Sequence, residues 1–71
     1  MDEQLEVIRA WMTSADEKLV VAQTLFDLSH YDDATSRAYY AMLHAARAAL
    51  LSVGIEPKSH SGVLNQFSQH L

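Results

Sequence analysis

The sequence predicts an all-α fold, in which two helices form an antiparallel hairpin and a short third helix follows. Apolar residues recur at steps of three and four along most of the 71 residues. The chain contains only two glycines and one proline, so it has little of the turn chemistry that β-structure needs. It has no cysteine, and a chain this short buries only about 60% of its unfolded surface. We therefore expect one small helical domain, residues 1–71, that needs a partner or is a piece of something longer.

The first predicted helix spans approximately residues 3–29. Its apolar residues share one stripe that is roughly 100° wide, as in an amphipathic helix packed on one side. The stripe consists of Ile8, Trp11, Met12, Ala15, Leu19, Ala22 and Phe26. Four further apolar residues lie off this stripe and suggest a second contact face: Val7, Val20, Val21 and Leu25.

A polar break at residues 29–33 separates this helix from the second predicted helix, approximately residues 33–53. Its aspartates, Asp32 and Asp33, suit the N-cap, because a carboxylate accepts the free amide protons of the first turn. Gly54 suits the left-handed position after the last turn, which Ile55 can cover, and Pro57 prevents continuation. The connection is only a few residues long, so the two helices should be antiparallel neighbours.

The third predicted helix begins at about residue 60, with Ser59 or Ser61 as its cap. Its apolar residues Val63, Leu64, Phe67 and Leu71 again have helical spacing, and no stop signal follows them. Together with the off-stripe residues of the first helix, this open pattern predicts that copies of the chain self-associate or exchange helices, as in a dimer.

Charge is distributed unevenly along the chain. Residues 1–33 contain eight acidic and two basic residues, whereas residues 34–71 contain one acidic and three basic residues, for a net charge of -4. This excludes a protein that holds nucleic acid over its whole surface and permits a local basic site in the second half. No apolar run approaches the roughly 18 residues that span a bilayer, and no secretory signal opens the chain. We therefore expect a cytoplasmic protein without a membrane partner.

The second helix contains the candidate catalytic residues Arg37, Tyr40 and His44. Arg37 and His44 are seven residues apart, so they point in the same direction two turns apart. Arginine provides a planar cation that suits phosphate, and histidine can exchange a proton near neutral pH. With the Tyr40 hydroxyl between them, they provide the ingredients for metal-free cleavage of a phosphodiester.

A structural alternative explains the same polar residues without catalysis. In it, Arg37, His44 and Arg47 form ion pairs within a helical bundle. The acidic first helix offers Asp16, Glu17 and Asp27 as partners. The protein would then be a purely structural interaction or oligomerisation domain.

The remaining candidates predict no metal or cofactor. His30, His60 and His70 have no cysteine partners and no second histidine four residues away. The two glycines form no phosphate-binding loop. Trp11 is assigned to the core by default.

The run YDDATSRAYYAMLHAARAALLSVGIEPKSHSGVLNQF strongly resembles the HEPN family (higher eukaryotes and prokaryotes nucleotide-binding), in particular its small stand-alone prokaryotic members. The most specific parts are residues 31–41, the break at residues 54–57 and residues 60–62. The resemblance implies an up-and-down bundle of four or five helices, often dimeric. It also implies partnership with a minimal nucleotidyltransferase, as toxin and antitoxin or as a module that binds nucleotide. Such members usually extend well past residue 71, which implies that one or two C-terminal helices are missing.

Active members of the wider family cleave RNA without metal through an arginine and a histidine with four to six residues between them. Arg37 and His44 match this spacing, although Ala38 stands where the motif commonly has a polar residue. If the site is active, we expect Arg37 to hold the scissile phosphate, His44 to act as general acid and base, and Tyr40 to orient one of them. We expect the 71-residue chain itself to be inactive, because a groove needs a second wall.

Overall fold

A computed structural model of the chain describes residues 2–70 and confirms the all-α fold. The three helices are α1 (Asp2–Asp27), α2 (Tyr31–Ser52) and α3 (His60–His70), and the described residues contain no β-strand. None of the described helices combines the length and the apolar character needed to cross a lipid bilayer. Leu71, the last apolar residue of the third-helix pattern, lies outside the described residues.

Helices α1 and α2 form the predicted antiparallel hairpin. Near the start of α1, the Gln4 side chain donates a hydrogen bond to the Leu51 carbonyl near the end of α2, at 3.4 Å. Further along α1, the Ser14 hydroxyl lies 2.8 Å from Nδ1 of His44. Residues later in α1 therefore contact residues earlier in α2, as in an antiparallel pair.

A row of alanines, here named the alanine seam, lies between α1 and α2. Its members are buried and recur every seven residues within each helix: Ala15 and Ala22 on α1, and Ala34, Ala41 and Ala48 on α2. Seven residues are close to two helical turns, so each set shares one face. Within residues 2–70, helix α1 packs against α2 alone, and the small side chains let the two backbones approach closely.

A second packing site, here named the leucine cluster, joins α2 to α3. It consists of Leu43, Leu50 and Val63, each at most 1% exposed, with Ala46 and Ile55 packed against them. Leu43 is nine residues from Ala34, which is about half a turn round the helix from the alanine seam. Helix α2 is therefore the central helix, and its two neighbours pack on opposite faces.

The end of α2 confirms the predicted stop at Gly54. The φ angle of Gly54 is 83°, and its amide donates to the Leu51 carbonyl at 3.1 Å. The Ile55 amide donates to the Leu50 carbonyl at 2.9 Å, which completes a Schellman motif. The predicted apolar cover is also present, because Ile55 packs against the leucine cluster.

The end of α1 has the same motif with a serine in the glycine position. Ser29 has a φ of 65°, and its amide donates to the Phe26 carbonyl at 2.9 Å. The His30 amide donates to the Leu25 carbonyl at 2.8 Å. Residues with a Cβ rarely adopt this left-handed conformation, so the turn between α1 and α2 is a strained version of the turn after α2.

The prediction of an aspartate cap for α2 was wrong. The helix begins at Tyr31 and His30 occupies the cap position without a side-chain hydrogen bond. The Schellman closure of α1 ends at His30, so α2 starts directly after it. Asp32 and Asp33 instead lie in the first turn, where their charge still favours the positive end of the helix dipole.

The start of α3 distinguishes between the two predicted caps. The Gly62 amide donates to the Ser59 hydroxyl at 3.0 Å, so Ser59 is the N-cap. Ser61 lies in the first turn, and its hydroxyl is 3.2 Å from that of Ser59.

The predicted apolar stripe of α1 is only partly buried. Met12, Leu19 and Phe26 are 42%, 58% and 56% exposed, whereas Leu25, predicted to lie off the stripe, is half-buried. The reason is that α1 has one helical neighbour, which covers a strip narrower than the apolar surface. The remaining off-stripe residues are exposed: Val7, Val20 and Val21.

Candidate functional site

The polar residues of α2 form one edge of the helix, between its two packing faces. This polar edge consists of Asp33, Ser36, Arg37, Tyr40, His44 and Arg47. Arg37, near the start of the helix, is exposed, whereas His44 and Arg47, further along, are half-buried. The edge therefore has an open end and a packed end.

The open end borders a cavity of about 510 Å³ between α1 and α2. Two cationic side chains line it, Lys18 from α1 and Arg37 from α2. Asp33, Ser36 and Tyr40 add hydrogen-bonding groups, and Val21 and Leu25 add an apolar wall. A cavity of this size with a few polar groups is typical of a small-ligand site, and its cations favour a phosphate group.

At the packed end, α1 holds the ring of His44 at two places. The Ser14 hydroxyl is 2.8 Å from Nδ1, and the Trp11 ring meets the imidazole edge-on with 4.8 Å between centroids. No buried side-chain nitrogen or oxygen in residues 2–70 lacks a hydrogen-bond partner. Since the hydrogen bond of His44 is at Nδ1, its Nε2 is in contact with solvent.

Burial lowers the pKa of His44 below its ordinary value of 6.5, and the charges of three nearby basic side chains lower the pKa further. These groups come from all three helices: Lys18 from α1, His60 from α3 and Arg47 from α2 itself. His44 is therefore neutral at pH 7. A neutral imidazole with one nitrogen in solvent is able to accept a proton there.

Arg47 is held by contacts on both sides of α2. Its guanidinium lies over the Trp11 ring, 4.7 Å from the ring centroid, and donates to the Pro57 carbonyl at 3.2 Å. These contacts join α1 to the connection between α2 and α3. The geometry of Arg47 thus indicates a structural role.

Tyr40 lies between the two ends of the polar edge. It lines the open cavity, and its ring meets the His60 ring at 5.6 Å between centroids. His60 is the first residue of α3, so the start of α3 reaches the polar edge. Tyr40 is thus placed to connect the cavity with the surroundings of His44.

The structure brings two of the three predicted catalytic residues to one cavity. Arg37 and Tyr40 line it, and His44 lies one helical turn beyond Tyr40, outside the lining. The contacts of His44 and Arg47 are with a hydroxyl, an aromatic ring and a carbonyl, and not with the carboxylates of the structural alternative. Among the described residues, no three His, Cys, Asp or Glu side chains are placed to hold a metal ion.

Sequence reasoning missed the residues that other helices contribute. Ser14, Lys18 and His60 were not assigned to the site, and Trp11, assigned to the core, lies half-buried at the polar edge. Trp11, Ser14 and Lys18 follow an i, i+3, i+7 pattern, which puts them on one face of α1. This spacing was the signal in the sequence that could have assigned the three α1 residues to one face beside the site.

Comparison with known proteins places the chain in a family. The profile of the HEPN domain matches residues 8–71. A protein of Methanocaldococcus jannaschii named as a candidate toxin is 45% identical over 62 residues, which cover 87% of this chain and 46% of that protein. A UPF0332 protein of Gloeobacter violaceus is 45% identical over 60 residues, covering 84% of this chain and 48% of that protein.

A third relative, a UPF0332 protein of Pyrococcus horikoshii, is 42% identical over 65 residues, which cover 92% of this chain and 46% of that protein. The chain thus spans about half the length of the curated relatives it matches. No solved structure was found to match it. The family match extends over most of the chain, from α1 to the end of α3, and the chain therefore belongs to the HEPN family.

Proposed function

We propose that this chain is the HEPN module of a toxin–antitoxin pair, that its partner is a minimal nucleotidyltransferase, and that its polar edge binds RNA. The observation on which the proposal rests is the cavity that places Lys18 and Arg37 together, next to a neutral histidine. The names of two relatives from Methanocaldococcus jannaschii, both candidate toxins, agree with it. The proposal puts the chain in the cytoplasm, where RNA and such a partner occur.

In the proposed complex, one RNA phosphate lies between the two cations of the cavity. Arg37 offers a planar fork of donors and Lys18 a point charge, so the pair can neutralise most of the charge of one phosphate. Tyr40 and Ser36 add hydroxyl donors, and the apolar wall faces the attached nucleoside. Binding of this kind depends on phosphate and not on base sequence.

Bound RNA would be cleaved without metal by transfer of protons. His44 takes the proton of the 2′-hydroxyl, whose oxygen attacks the phosphorus, and the bond from phosphorus to the 5′-oxygen breaks as His44 returns that proton to the 5′-oxygen. The products are a 2′,3′-cyclic phosphate and a 5′-hydroxyl. Arg37 stabilises the charge on the phosphate oxygens, and Tyr40 orients the phosphate or the histidine.

Self-association is part of the proposal, because the cavity of a single chain is open. We expect one copy to bind RNA without cleaving it and a second copy to supply the missing wall. The exposed apolar residues of α1 offer surface for such contact: Val7, Val20 and Val21. Light scattering at micromolar concentration should give a mass above that of the monomer, and a folded monomer would contradict this.

Binding is tested first, with a fluorescently labelled single-stranded RNA and anisotropy measured over a range of salt concentrations. Arg37→Ala and Lys18→Ala should each weaken binding and reduce the salt slope by about one, because each removes one phosphate contact. Arg9→Ala is the matched control, since Arg9 is exposed on α1 and does not line the cavity. Equal affinity for the wild type and both cavity variants would refute the proposed site.

Cleavage is tested in EDTA with the same RNA at increasing protein concentration. A single copy should be inactive because its groove lacks a second wall, so any cleavage should appear only as the chain associates, and His44→Ala should reduce its rate by about 10²- to 10⁴-fold, the usual effect of losing a proton-transfer group. Circular dichroism first establishes that each variant is folded. Equal cleavage by wild type, His44→Ala and Arg37→Ala would exclude these residues, and no cleavage at any concentration would leave only the binding function.

A purely structural module is the second candidate, and the contacts of Arg47 favour it. The neighbouring open reading frame separates the two functions: a short nucleotidyltransferase encoded there and co-purifying with this chain favours the first, and its absence favours the second. Capture of that partner together with RNA binding supports the HEPN toxin–antitoxin module. If Arg37→Ala, Lys18→Ala and His44→Ala change neither RNA binding nor partner capture, the polar edge is structural.

A further inference from the structure

Ser14 is the residue of α1 that touches the candidate proton-transfer group directly. Its hydroxyl is 2.8 Å from Nδ1 of His44, across the packed hairpin and 30 residues away in sequence. The Trp11 ring, almost one turn earlier on α1, meets the same imidazole at an interplanar angle of 75°. Helix α1 thus fixes both a nitrogen of the ring and the plane of the ring.

Ser14 differs from other hydroxyl residues in the helices. Thr24, Ser52 and Ser68 each donate a hydrogen bond to a carbonyl of their own helix, at 3.0, 2.6 and 3.1 Å. The hydrogen bond of Ser14 is with a side chain of another helix. This arrangement uses the hydroxyl to orient His44 instead of satisfying the local backbone.

From this geometry we infer that Ser14 is a positioning residue: its oxygen accepts the Nδ1 proton of His44 and leaves Nε2 in solvent as the nitrogen that exchanges protons. The same hydrogen bond then persists when Nε2 gains a proton, because Nδ1 carries a proton in both the neutral and the charged ring. The ring therefore does not need to turn during proton transfer. The catalytic meaning of this inference rests on the proposed function, whereas the tautomer is a property of the chain alone.

The charged groups around the ring do not replace this contact. Lys18 on α1, His60 on α3 and Arg47 on α2 lower the pKa of His44 through their charge, but within the described residues the hydrogen bond of the ring is with Ser14. The Ser14 hydroxyl, 2.8 Å from Nδ1, is in place to accept the Nδ1 proton. The identity of the protonated nitrogen therefore depends on Ser14 more than on its charged neighbours.

The test is nuclear magnetic resonance of the ¹⁵N-labelled full chain, without RNA, at a pH where His44 is neutral. The two ring nitrogens have very different shifts when protonated and unprotonated, so the spectrum reports the tautomer. Wild type should show protonated Nδ1 and unprotonated Nε2. Ser14→Ala should give a mixture of tautomers, and Ser14→Thr, which keeps the hydroxyl, should restore the wild-type pattern.

Ser68→Ala is the matched control, because it removes an exposed helical hydroxyl that is bonded to its own backbone. It should leave the His44 signals unchanged. A wild-type spectrum with protonated Nε2, or identical spectra for wild type and Ser14→Ala, would overturn the inference. Failure of RNA to bind would refute the proposed function and leave this result standing, so the two are judged separately.

Discussion

Helix α2 packs against α1 through alanines and against α3 through larger apolar side chains. The alanine seam removes little apolar surface per residue, whereas full burial of one leucine or valine contributes about 1.5–3 kcal/mol. The seam therefore contributes close approach of the backbones, and the leucine cluster contributes burial. Close approach is what a hydrogen bond between short side chains needs, and the 2.8 Å contact of Ser14 with His44 crosses the same interface.

The polar edge lies between these two packing sites and receives contacts from both. Trp11 and Ser14 reach it from α1, and Pro57 and His60 reach it from the α3 side. Its geometry should therefore respond to changes in either site. Substitutions in the leucine cluster should disturb the polar edge mainly by unfolding the chain. Substitutions in the alanine seam should disturb it mainly by displacing α1.

The largest expected effect follows Leu50→Ala. Leu50 is fully buried in the leucine cluster, and leucine-to-alanine changes in cores cost about 2–5 kcal/mol. This is a large fraction of the stability of a chain of this size. Urea unfolding followed by circular dichroism measures the free energy of unfolding. Met42→Ala is the control, because Met42 is 51% exposed on the same helix, and it should shift this free energy by about 0.5 kcal/mol or less. Similar losses for both variants would contradict the assignment of the core.

Ala41→Leu should have the next largest effect and acts on the alanine seam. Ala41 is 7% exposed, so a larger side chain must push α1 away from α2, at a cost of about 1–3 kcal/mol. The displacement should also break the hydrogen bond between Ser14 and His44, which changes the ring-nitrogen shifts of His44. Ala38→Leu is the control, since Ala38 is exposed on the same helix. A stable Ala41→Leu variant with unchanged His44 signals would show that the seam tolerates wider spacing.

The turns that follow α1 and α2 provide a paired test in opposite directions. Gly54→Ala should lower the free energy of unfolding by about 1–2 kcal/mol, because the residue needs a left-handed conformation. No atom lies within 4 Å of the added Cβ, so the loss comes from the backbone and not from a steric clash. Ser29→Gly should gain about 0.5–1 kcal/mol, because it relieves the same strain at the other turn. Thermal unfolding measures both. Loss of stability in Ser29→Gly would mean that the serine side chain contributes more than its backbone costs.

The sequence was sufficient to predict the three helices, the antiparallel hairpin and the stop at Gly54, because each depends on local chemistry. The left-handed turn at Ser29 was not predicted, since nothing in a serine signals such a turn. Helix α2 therefore starts at Tyr31 and not near the predicted residue 33. The sequence also failed to predict which part of the α1 stripe is buried. That outcome depends on how many helices surround α1, a property of the whole fold.

The candidate site was predicted on one helix only. Spacing along α2 was enough to group Arg37, Tyr40 and His44, because residues on one helix have a fixed angular relation. Their partners Ser14 and Lys18 depend on the register between α1 and α2. The spacing of the alanines, every seven residues on both helices, is the pattern from which that register can be sought.

The smallest expected effect concerns pH and the packed end of the polar edge. The folded chain holds the pKa of His44 below 6.5, first by burial and then through Lys18, His60 and Arg47. Well above pH 6.5 the histidine is neutral in both the folded and the unfolded chain, so its contribution to stability is fully present. As the pH falls below that value, the unfolded chain binds the proton more readily, and this contribution is lost as the pH passes the lower pKa of the folded chain.

In His44→Gln, which cannot titrate, the free energy of unfolding should therefore fall less steeply than in wild type below pH 6.5. Lys18→Gln should raise the pKa of His44 and lie between the two, and parallel curves for all three proteins would show that the packed end does not disfavour a charged histidine.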